Sequence, residues 1–551
     1  MKIIVSSSTI TEEILRAGSD LLKAYFLGAE IGVSSGQGLF ETQKPVRNNE
    51  DIGVNTGGHR LSSHDENSCW AEIGIEAHLG VLTQIDFSWE LFGLPSVPAE
   101  AAPSFPLSRK LYINLTDQEI ACILAQPEVS KETQPKLLLK HGMLKLLSQV
   151  CDRQLSWGIL TGIRPGKMMH RLYDFGFSRE ERSRILEKRY AIRADKVELL
   201  QEIASRQRPY LEELRANPQK IAVYIGIPFC PTRCTYCSFP GYQLGQERQE
   251  LALYLKALQA EIREVGRLMK ELGLVADTVY IGGGTPTTLT PREISRLIDE
   301  LKKWLPWQEC REFTVEAGRV DTLSREMLEV LKECGITRLS INPQTMQEAT
   351  LTRIGRNHGV AEVVRVFELA RTLSDWLINM DLILGLPGEN LSDVQSTLIQ
   401  LEKLQPDNLT VHMLALKRGS VELAKGYKHH LGSELEQMQE LSAKVAVSWG
   451  LQPYYLYRQK RIAGNLENIG YARPGSECCY NISIIEERQT ILGLGAGAST
   501  KIYNPVNNTL INEQHPTSWQ SYVQHARFDV RGPRSELNWK FIAGICAGDA
   551  G

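Results

Sequence analysis

The chain has 551 residues, of which 62 are Lys or Arg, 65 are Asp or Glu and 42% are hydrophobic. The net charge of −3 gives no sign of a nucleic-acid interface, and the composition is that of an ordinary globular protein. No stretch approaches the roughly 18 apolar residues of a membrane span, and the N-terminus lacks a secretory apolar region. The eleven cysteines are not spaced as a disulfide framework. A cytoplasmic protein is expected.

The first part of the chain mixes short apolar runs with glycine-rich breaks. The three prolines within residues 97–106 predict a loop, because proline removes a backbone donor and disfavours helix in the preceding residue. Residues 110–115 alternate like a strand, whereas 136–150 and 179–215 have helical periodicity, the latter as more than one helix. We predict an N-terminal α+β domain at 1–155, a helical connector at 156–217, a barrel at 218–450 and a C-terminal extension closing the barrel at 451–551.

Residues 157–167 read Trp-Gly-Ile-Leu-Thr-Gly-Ile-Arg-Pro-Gly-Lys and predict an exposed loop. Its backbone N–H groups and two cations, Arg164 and Lys167, could hold an anionic group. The alternative is an interdomain joint in which Arg164 and Lys167 form salt bridges to the neighbouring domain. The sequence favours neither interpretation.

From residue 221 onward, strand-like apolar runs alternate with amphipathic helical stretches. Six such units predict a parallel sheet with right-handed crossovers, and therefore an α/β fold with a partial (β/α)6 TIM-like barrel. Functional groups in such folds gather at the carboxyl ends of the strands. The predicted strands are 221–227, 278–281, 312–316, 338–342, 378–382 and 409–413, and the predicted helices are 250–271, 292–305, 325–334, 360–373, 391–404 and 435–448.

The first of these strands leads into Cys230-Pro-Thr-Arg-Cys234-Thr-Tyr-Cys237. A closed zinc site takes four protein ligands, whereas three thiolates can hold a 4Fe–4S cluster and leave one iron open to a substrate. The alternatives are a zinc site completed by a distant His or Cys, or buried thiols that bind nothing. Cys478 and Cys479 could ligate a second centre, but no cysteine or histidine lies near them in the sequence.

Further candidate residues follow the later strands. Gly282-Gly-Gly-Thr-Pro-Thr287 follows the second strand, where glycines allow the backbone to approach a ligand closely. Glu316 on the third strand could accept both hydroxyls of a ribose, and the alternative is a salt bridge to Arg319 or to another cation of the barrel. For His412 alone, a packed and hydrogen-bonded role is favoured. The remaining candidates, whose placement after successive strands favours one shared site, are Gln344, Arg356, His358, Asp381 and Ala415.

The cysteine spacing and these motifs resemble the radical S-adenosylmethionine (SAM) enzymes, and among them the oxygen-independent coproporphyrinogen III oxidase family. Leu160-Thr-Gly-Ile-Arg-Pro165, Cys237-Ser-Phe-Pro240 and Tyr454-Tyr-Leu-Tyr-Arg-Gln-Lys460 are most similar to its HemZ-type branch, usually called coproporphyrinogen dehydrogenase. The resemblance covers about residues 157–500. It implies a radical SAM oxidoreductase.

The resemblance implies a role for each matching residue. Cys230, Cys234 and Cys237 would bind a 4Fe–4S cluster. Tyr224 and Tyr236 would flank SAM as candidate catalytic residues. One or two SAM molecules are possible, and the remaining implied SAM contacts are Gly283, Gly284, Thr285, Glu316, Gln344, Arg356, Asp381 and Ala415.

The resemblance also implies a reaction in anaerobic porphyrin and heme biosynthesis. A reduced cluster splits SAM, and the resulting 5′-deoxyadenosyl radical takes a hydrogen from a propionate of coproporphyrinogen III. Loss of CO2 and one electron leaves a vinyl group, and two rounds give protoporphyrinogen IX. A flavodoxin- or ferredoxin-type donor is the implied partner. Cations that could meet the tetrapyrrole carboxylates are Arg164, Lys167, Arg233 and Arg458.

Two positions depart from related proteins. The best-known oxidase has a fourth cysteine where this chain has Phe239, which weakens the transfer of its exact substrate chemistry. Glu467 stands where the heme-chaperone branch has a heme-binding histidine, which disfavours heme trafficking. The alternatives to the oxidase are a heme chaperone, a radical SAM methyltransferase or ring-opening enzyme acting on a tetrapyrrole, and a zinc-binding structural protein.

Overall fold

The computed structural model describes only part of the N-terminal region and most of the remaining chain. The described residues are 2–7, 30–35, 70–77, 85–92, 108–110, 115–127, 134–150, 154–162, 164–237, 241–244, 248–415, 432–459, 462–528, 542 and 544. The predicted loop at 97–106 and most of the predicted strand at 110–115 lie outside them. Within these residues no helix is long and apolar enough to cross a membrane.

The chain divides into two compact units. The smaller comprises residues 1–162 and 171–199, and the larger comprises 163–170 and 200–551. The smaller unit contains a five-stranded sheet of order β2-β1-β3-β4-β5, in which β1 is parallel to β2 and β3 and the other pairs are antiparallel. The strands are β1 (Lys2–Ser7), β2 (Glu30–Ser35), β3 (Trp70–Ala77), β4 (Ile85–Phe92) and β5 (Ser108–Lys110).

Five helices follow this sheet in the sequence. They are α1 (Asp117–Leu124), α2 (Gln134–Val150), α3 (Pro165–Asp174), α4 (Arg179–Tyr190) and α5 (Ala194–Ala216). The predicted helix at 136–150 is therefore present. The stretch at 179–215 contains two helices, because Ala191 ends α4 in the left-handed conformation with φ of +53°. The prediction of a loop at 157–167 is wrong for its last residues, since α3 begins at Pro165, and proline is favoured in the first turn of a helix.

The larger unit is built on an 11-stranded sheet of order β14-β15-β13-β12-β11-β10-β9-β6-β16-β17-β18. Its centre is the predicted set of six parallel strands in sequence order. These are β6 (Lys220–Ile227), β9 (Val275–Gly283), β10 (Glu312–Val315), β11 (Arg338–Ser340), β12 (Leu377–Leu384) and β13 (Asn408–Met413). The mixed α/β content and the parallel-rich sheet confirm the predicted α/β fold class.

The C-terminal region adds strands to both edges of this parallel core. β14 (Gln452–Tyr457) and β15 (Asn468–Ala472) join β13 in antiparallel fashion, and β16 (Ile491–Leu494) is parallel to β6. β17 (Ser499–Asn504) and β18 (Thr509–Gln514) continue beyond β16 as antiparallel strands. A separate short pair consists of β7 (Phe229–Cys230) and β8 (Tyr242–Gln243).

Helices separate the parallel strands, as the sequence pattern predicts. They begin with strong local signals, since Thr290 and Asn390 form capping boxes with the residues three positions later. The short helix α9 has no counterpart among the predicted helices. The helices are α6 (Gln249–Glu271), α7 (Pro291–Trp304), α8 (Arg325–Glu333), α9 (Glu348–Arg353), α10 (Val360–Leu373), α11 (Leu391–Leu404), α12 (Gly432–Ser448), α13 (Cys479–Glu486) and α14 (Trp519–Phe528), with 3-10 turns at Pro286–Thr288, Val320–Thr322 and Ala463–Asn465.

Candidate functional site

A cavity of about 590 Å3 lies in the larger unit, lined by the parallel strands and the loops that follow them. Alternate residues of one strand share a face, and β12 accordingly contributes Asn379, Asp381 and Ile383 to the lining. Every site residue implied by the sequence resemblance lines this one cavity. They are Tyr224, Cys230, Cys234, Tyr236, Cys237, Gly283, Gly284, Thr285, Glu316, Gln344, Arg356, Asp381 and Ala415.

The three cysteines of the predicted cluster motif lie on a loop that is anchored at both ends. Pairing of β7 with β8 fixes Cys230 at its start. Further along, the N–H of Thr235 donates to the carbonyl of Ile354 at 3.1 Å, and the N–H of Cys237 donates to the carbonyl of Cys234 at 3.2 Å. All three cysteines are half-buried and none forms a disulfide. The loop therefore presents three thiols to one cavity.

The glycine segment after β9 packs directly against this loop. A Cβ atom on Gly284 would lie 2.5 Å from the carbonyl oxygen of Phe229 and 3.0 Å from Sγ of Cys230, so only glycine fits there without movement. The Thr285 hydroxyl donates to Sγ of Cys230 at 3.6 Å. Burial raises the pKa of the Cys230 thiol, an effect that the hydrogen bond from Thr285 opposes. The glycine segment thus positions the first cysteine of the motif.

Two carboxyl groups face the cavity in different environments. Burial raises the pKa of Glu316 to about 7, and the nearby negative charge of Asp381 adds to the effect. Burial also raises the pKa of Asp381. The charge and hydrogen bond of His412, together with hydrogen bonds from Asn379 and Thr410, outweigh burial and hold this pKa below its usual value. Nδ2 of Asn379 donates to Asp381 at 2.7 Å, and Nε2 of His412 lies 3.6 Å from the same carboxylate. Asp381 is therefore ionised near neutral pH, whereas Glu316 is close to its midpoint.

Gln344 and Arg356 lie at the same end of the sheet. Gln344 has a φ of +68°, a conformation that non-glycine residues rarely adopt and that is frequent at functional sites. The Arg356 guanidinium donates to the hydroxyl of Tyr236 and to the carbonyl of Gly318, both at 2.9 Å. Arg356 therefore ties the cysteine loop to the segment that follows β10.

Another arginine at the cavity, Arg319, was not identified as a site residue from the sequence. The predicted alternative, a salt bridge between Glu316 and Arg319, is wrong, because Arg319 pairs with Asp321 through contacts of 2.9 and 2.7 Å. Its Nη1 also donates to Sγ of Cys234 at 3.5 Å and to the carbonyl of Thr232 at 3.4 Å. The spacing of Arg319 and Asp321, two residues apart after the strand that carries Glu316, is the sequence signal that could have indicated this pair.

An aromatic wall forms another part of the cavity lining. The rings of Tyr280 and Tyr480 are stacked with centroids 4.5 Å apart, and Tyr224 lies 6.0 Å from Tyr480. Tyr454 and Tyr455 also line the cavity. Burial raises the pKa of each of these hydroxyls, so the wall is uncharged at neutral pH. It offers an uncharged aromatic surface.

Helix α13, which carries Tyr480, is held at its N-terminus by Glu312 of β10. The Glu312 carboxylate accepts hydrogen bonds from the backbone N–H groups of Cys479 and Tyr480 at 2.9 and 3.1 Å. Nε of Arg338 lies 3.3 Å from the same carboxylate. Cys478 and Cys479 belong to the start of this helix, and their position is explained by the same contacts. Sγ of Cys478 lies 3.3 Å from the Glu312 carboxylate.

Two adjacent glutamates with opposite environments end α13. Glu487 pairs with Arg164 at 2.5 Å, with Lys501 at 2.6 Å and with Lys167. Glu486 is buried, and Nε2 of His170 lies 3.8 Å from its carboxylate. Burial raises the pKa of Glu486 to about 7, whereas the pKa of Glu487 is held below its usual value by Lys167 and Lys501 against the opposing effect of burial.

The predicted cations for tetrapyrrole carboxylates occupy different places. Arg164 and Lys167 are engaged by Glu487, so both form salt bridges, but the three residues lie in the same compact unit and not across an interdomain joint. Arg458 is buried and donates to the side chain of Asn465 at 2.5 Å. Of these four candidates, Arg233 is the one found in the cavity lining.

The donor set fits an iron–sulfur cluster together with a polar ligand. Three thiols are the ligands that such clusters take, and hydroxyl and guanidinium donors contact two of them. Several buried polar atoms of the lining have no hydrogen-bond partner within the described chain, a condition that is unfavourable unless a ligand supplies one. These atoms are Oγ1 of Thr232, Oγ1 of Thr314, Oδ1 of Asn342 and Oε1 of Gln344.

A parallel sheet with this cysteine loop at its carboxyl end defines a radical SAM protein, and residues 224–401 match the model of the radical SAM superfamily. The chain is 41% identical over 392 residues to the oxygen-independent coproporphyrinogen-III oxidase-like protein HemZ of Bacillus subtilis, covering 71% of this chain and 78% of that protein. The chain therefore belongs to the HemZ-type family of radical SAM proteins.

Other matches are more distant. The heme chaperone HemW of Bacillus subtilis is 33% identical over 282 residues, which cover 50% of this chain and 70% of HemW. The solved structure of the coproporphyrinogen III oxidase HemN from Escherichia coli matches with a TM-score of 0.48 and 20% identity, covering 62% of this chain and 79% of that one.

Proposed function

We propose that this protein uses a 4Fe–4S cluster and SAM to convert propionate side chains of coproporphyrinogen III into vinyl groups without oxygen, giving protoporphyrinogen IX. The observation that carries the proposal is the convergence of three cysteines and all the implied SAM contacts on one cavity. The name of the HemZ relative, an oxygen-independent coproporphyrinogen-III oxidase-like protein, supports the choice of substrate.

The main polar groups of the cavity have roles in this proposal. Cys230, Cys234 and Cys237 would hold the cluster, which together with SAM supplies the one-electron chemistry that produces a hydrogen-abstracting radical. The unpartnered oxygen of Gln344 and the ionised Asp381 offer acceptors for the ammonium or hydroxyl groups of SAM. Glu316, in its ionised form, accepts the ribose hydroxyls.

The aromatic wall is the proposed substrate side of the cavity. The wall of Tyr280, Tyr454, Tyr455 and Tyr480 suits the pyrrole rings of a porphyrinogen, which are joined by methylene bridges, and excludes water from the reacting groups. Arg233, which lies on the cysteine loop, is the candidate partner for a propionate carboxylate. A flavodoxin- or ferredoxin-type protein is the proposed electron donor.

Anaerobic turnover tests the proposal. Cluster-reconstituted protein is incubated with SAM, a strong reductant and coproporphyrinogen III, and the products are identified by mass spectrometry. The expected result is stepwise loss of CO2 and two hydrogens per propionate, absent in Cys234→Ala. Cleavage of SAM with unchanged porphyrinogen would refute the substrate assignment while leaving the cluster assignment intact, and a methylated or linearised product would indicate a different tetrapyrrole-modifying reaction.

A second candidate function is heme delivery, supported by the 33% identity to a heme chaperone. Against it stands Glu467, which is fully buried next to β15 and which the sequence resemblance matches to the heme-binding histidine of the chaperone branch. Titration of the reconstituted protein with heme distinguishes the two functions. A stoichiometric Soret complex without porphyrinogen turnover would favour the chaperone.

A further inference from the structure

The Arg319 guanidinium is buried beside the cysteine loop and is held in one orientation. It is only 3% exposed, and Asp321 binds it through two parallel hydrogen bonds of 2.9 and 2.7 Å. Such bidentate pairs fix both the position and the plane of the guanidinium. The side chain that contacts Cys234 is therefore already oriented before any ligand binds.

The third guanidinium nitrogen of Arg319, Nη1, is directed at the cysteine loop. Nη1 lies 3.5 Å from Sγ of Cys234 and 3.4 Å from the carbonyl oxygen of Thr232. Cys234 is the middle cysteine of the motif, and the hydroxyl of Thr285 contacts the first at 3.6 Å. The two sulfurs thus receive unlike donors: a neutral hydroxyl at Cys230 and a permanent positive charge at Cys234.

A fixed cation at a cysteine sulfur affects the electronic properties of a cluster that the cysteine binds. Reduction adds a negative charge to the cluster, and a positive charge nearby stabilises the reduced state more than the oxidised state. Arginine cannot lose its proton in this setting, so the effect is present at every working pH. Burial reduces screening by water and salt.

The other charged groups near Arg319 leave this effect in place. Asp321 neutralises part of the charge, but it binds the Nε and Nη2 side of the guanidinium, opposite the donor directed at sulfur. His358 lies 3.9 Å from Asp321, and burial lowers its pKa to about 4, so it is neutral at pH 7. Arg356 adds a second positive charge beside Tyr236 of the same loop.

We propose that Arg319, clamped by Asp321, is a positioning residue that holds the middle of the cysteine loop and raises the reduction potential of the cluster bound there. The proposal rests on the cluster assignment made above, but not on the identity of the substrate. It assigns to Arg319 the role of making the cluster easier to reduce by a physiological donor.

Redox titration of the reconstituted protein, followed by electron paramagnetic resonance, tests this role in Arg319→Gln, Arg319→Lys and Arg325→Met. The last is a control, because Arg325 is an exposed arginine on α8 whose side chain is 63% accessible. In Arg319→Gln, the ratio of reduced to oxidised cluster at a fixed potential is expected to fall about tenfold, equivalent to about 59 mV. Arg319→Lys keeps the charge without the rigid fork and should give an intermediate value, and Arg325→Met should match the wild type.

Iron and sulfide analysis of every variant separates the possible failures. A wild-type protein that binds no cluster would refute the proposed function together with this inference. A fully loaded Arg319→Gln protein with the wild-type potential would overturn the inference alone. If Arg319→Gln loses its cluster, the lysine variant decides: a potential below that of the wild type supports the proposal, and an equal potential shows that the residue serves assembly only and overturns it.

Discussion

Replacing Glu486 by Gln is expected to make the protein more stable, and increasingly so as the pH rises. Glu486 ends helix α13, is buried, and has a pKa raised to about 7 by burial, against opposing contributions from Gln207, Arg488, Lys167 and Arg164. In the unfolded chain its pKa returns to the ordinary value of 4.5. The folded state therefore binds the proton more tightly, and ionisation of Glu486 works against folding.

The size of the effect follows from the two pKa values. At about 1.36 kcal/mol per pH unit, the gap from 4.5 to about 7 corresponds to about 3 kcal/mol of destabilisation once the pH exceeds 7. At pH 5.5 the folded-state carboxyl is still protonated and the destabilisation is about 1.4 kcal/mol. Because glutamine does not titrate, the gain in free energy of unfolding for Glu486→Gln should grow by about 2 kcal/mol between pH 5.5 and pH 8.5.

Thermal midpoints at pH 5.5 and 8.5, followed by intrinsic fluorescence, measure this difference. Glu487→Gln is the matched control on the next residue. Its carboxylate has a lowered pKa, so it contributes stability above pH 4.5 that is lost only as the pH falls through the folded-state value. The control should therefore be less stable than the wild type at both pH values. If the thermal midpoint of Glu486→Gln is not above that of the wild type, or if the difference is smaller at pH 8.5 than at pH 5.5, the reasoning is refuted.

Three further predictions concern the cavity and its supports. Gly284→Ala places a Cβ 2.5 Å from the carbonyl of Phe229, so bound iron should fall severalfold, and wild-type iron content would contradict this packing. SAM affinity, measured by calorimetry, should rise as the pH increases through about 7, because ionised Glu316 is the better acceptor for the ribose hydroxyls. In Glu316→Gln this pH dependence of the affinity should disappear. Arg338→Met leaves the buried carboxylate of Glu312 without its cation and should lower the free energy of unfolding by roughly 3 kcal/mol. The control Arg325→Met should change it by less than about 0.5 kcal/mol. Denaturant unfolding measures both values.

The parallel core could be predicted from the sequence because local and global signals agree there. Each strand is a short buried run, and the amphipathic helix after it has its own start signal, as at Thr290 and Asn390. Residues at the carboxyl ends of such strands come together by topology alone, which is why Glu316, Gln344 and Asp381 could be placed in one site before any contact was known.

The supports of the site could not be predicted because they depend on long-range pairing. The contact between Glu312 and α13 joins residues 167 positions apart, and nothing in the local pattern of either segment specifies it. Likewise Arg319 lies close in sequence to both Glu316 and Asp321, and the choice between them depends on which carboxylate the backbone turns toward it. The pairing of Arg164 and Lys167 with Glu487 is another long-range contact of this kind.

The position of β16 has a consequence for how the protein forms during synthesis. β6, which leads into the cysteine loop, has β9 on one side and β16 on the other, and Ala222 pairs with Ile491. At ribosomal rates the chain between these two residues takes roughly 15 to 50 s to make. Throughout that interval one edge of β6 has no partner strand and can pair with other chains. Chaperone occupancy of the nascent chain during this interval should therefore affect the yield of folded protein.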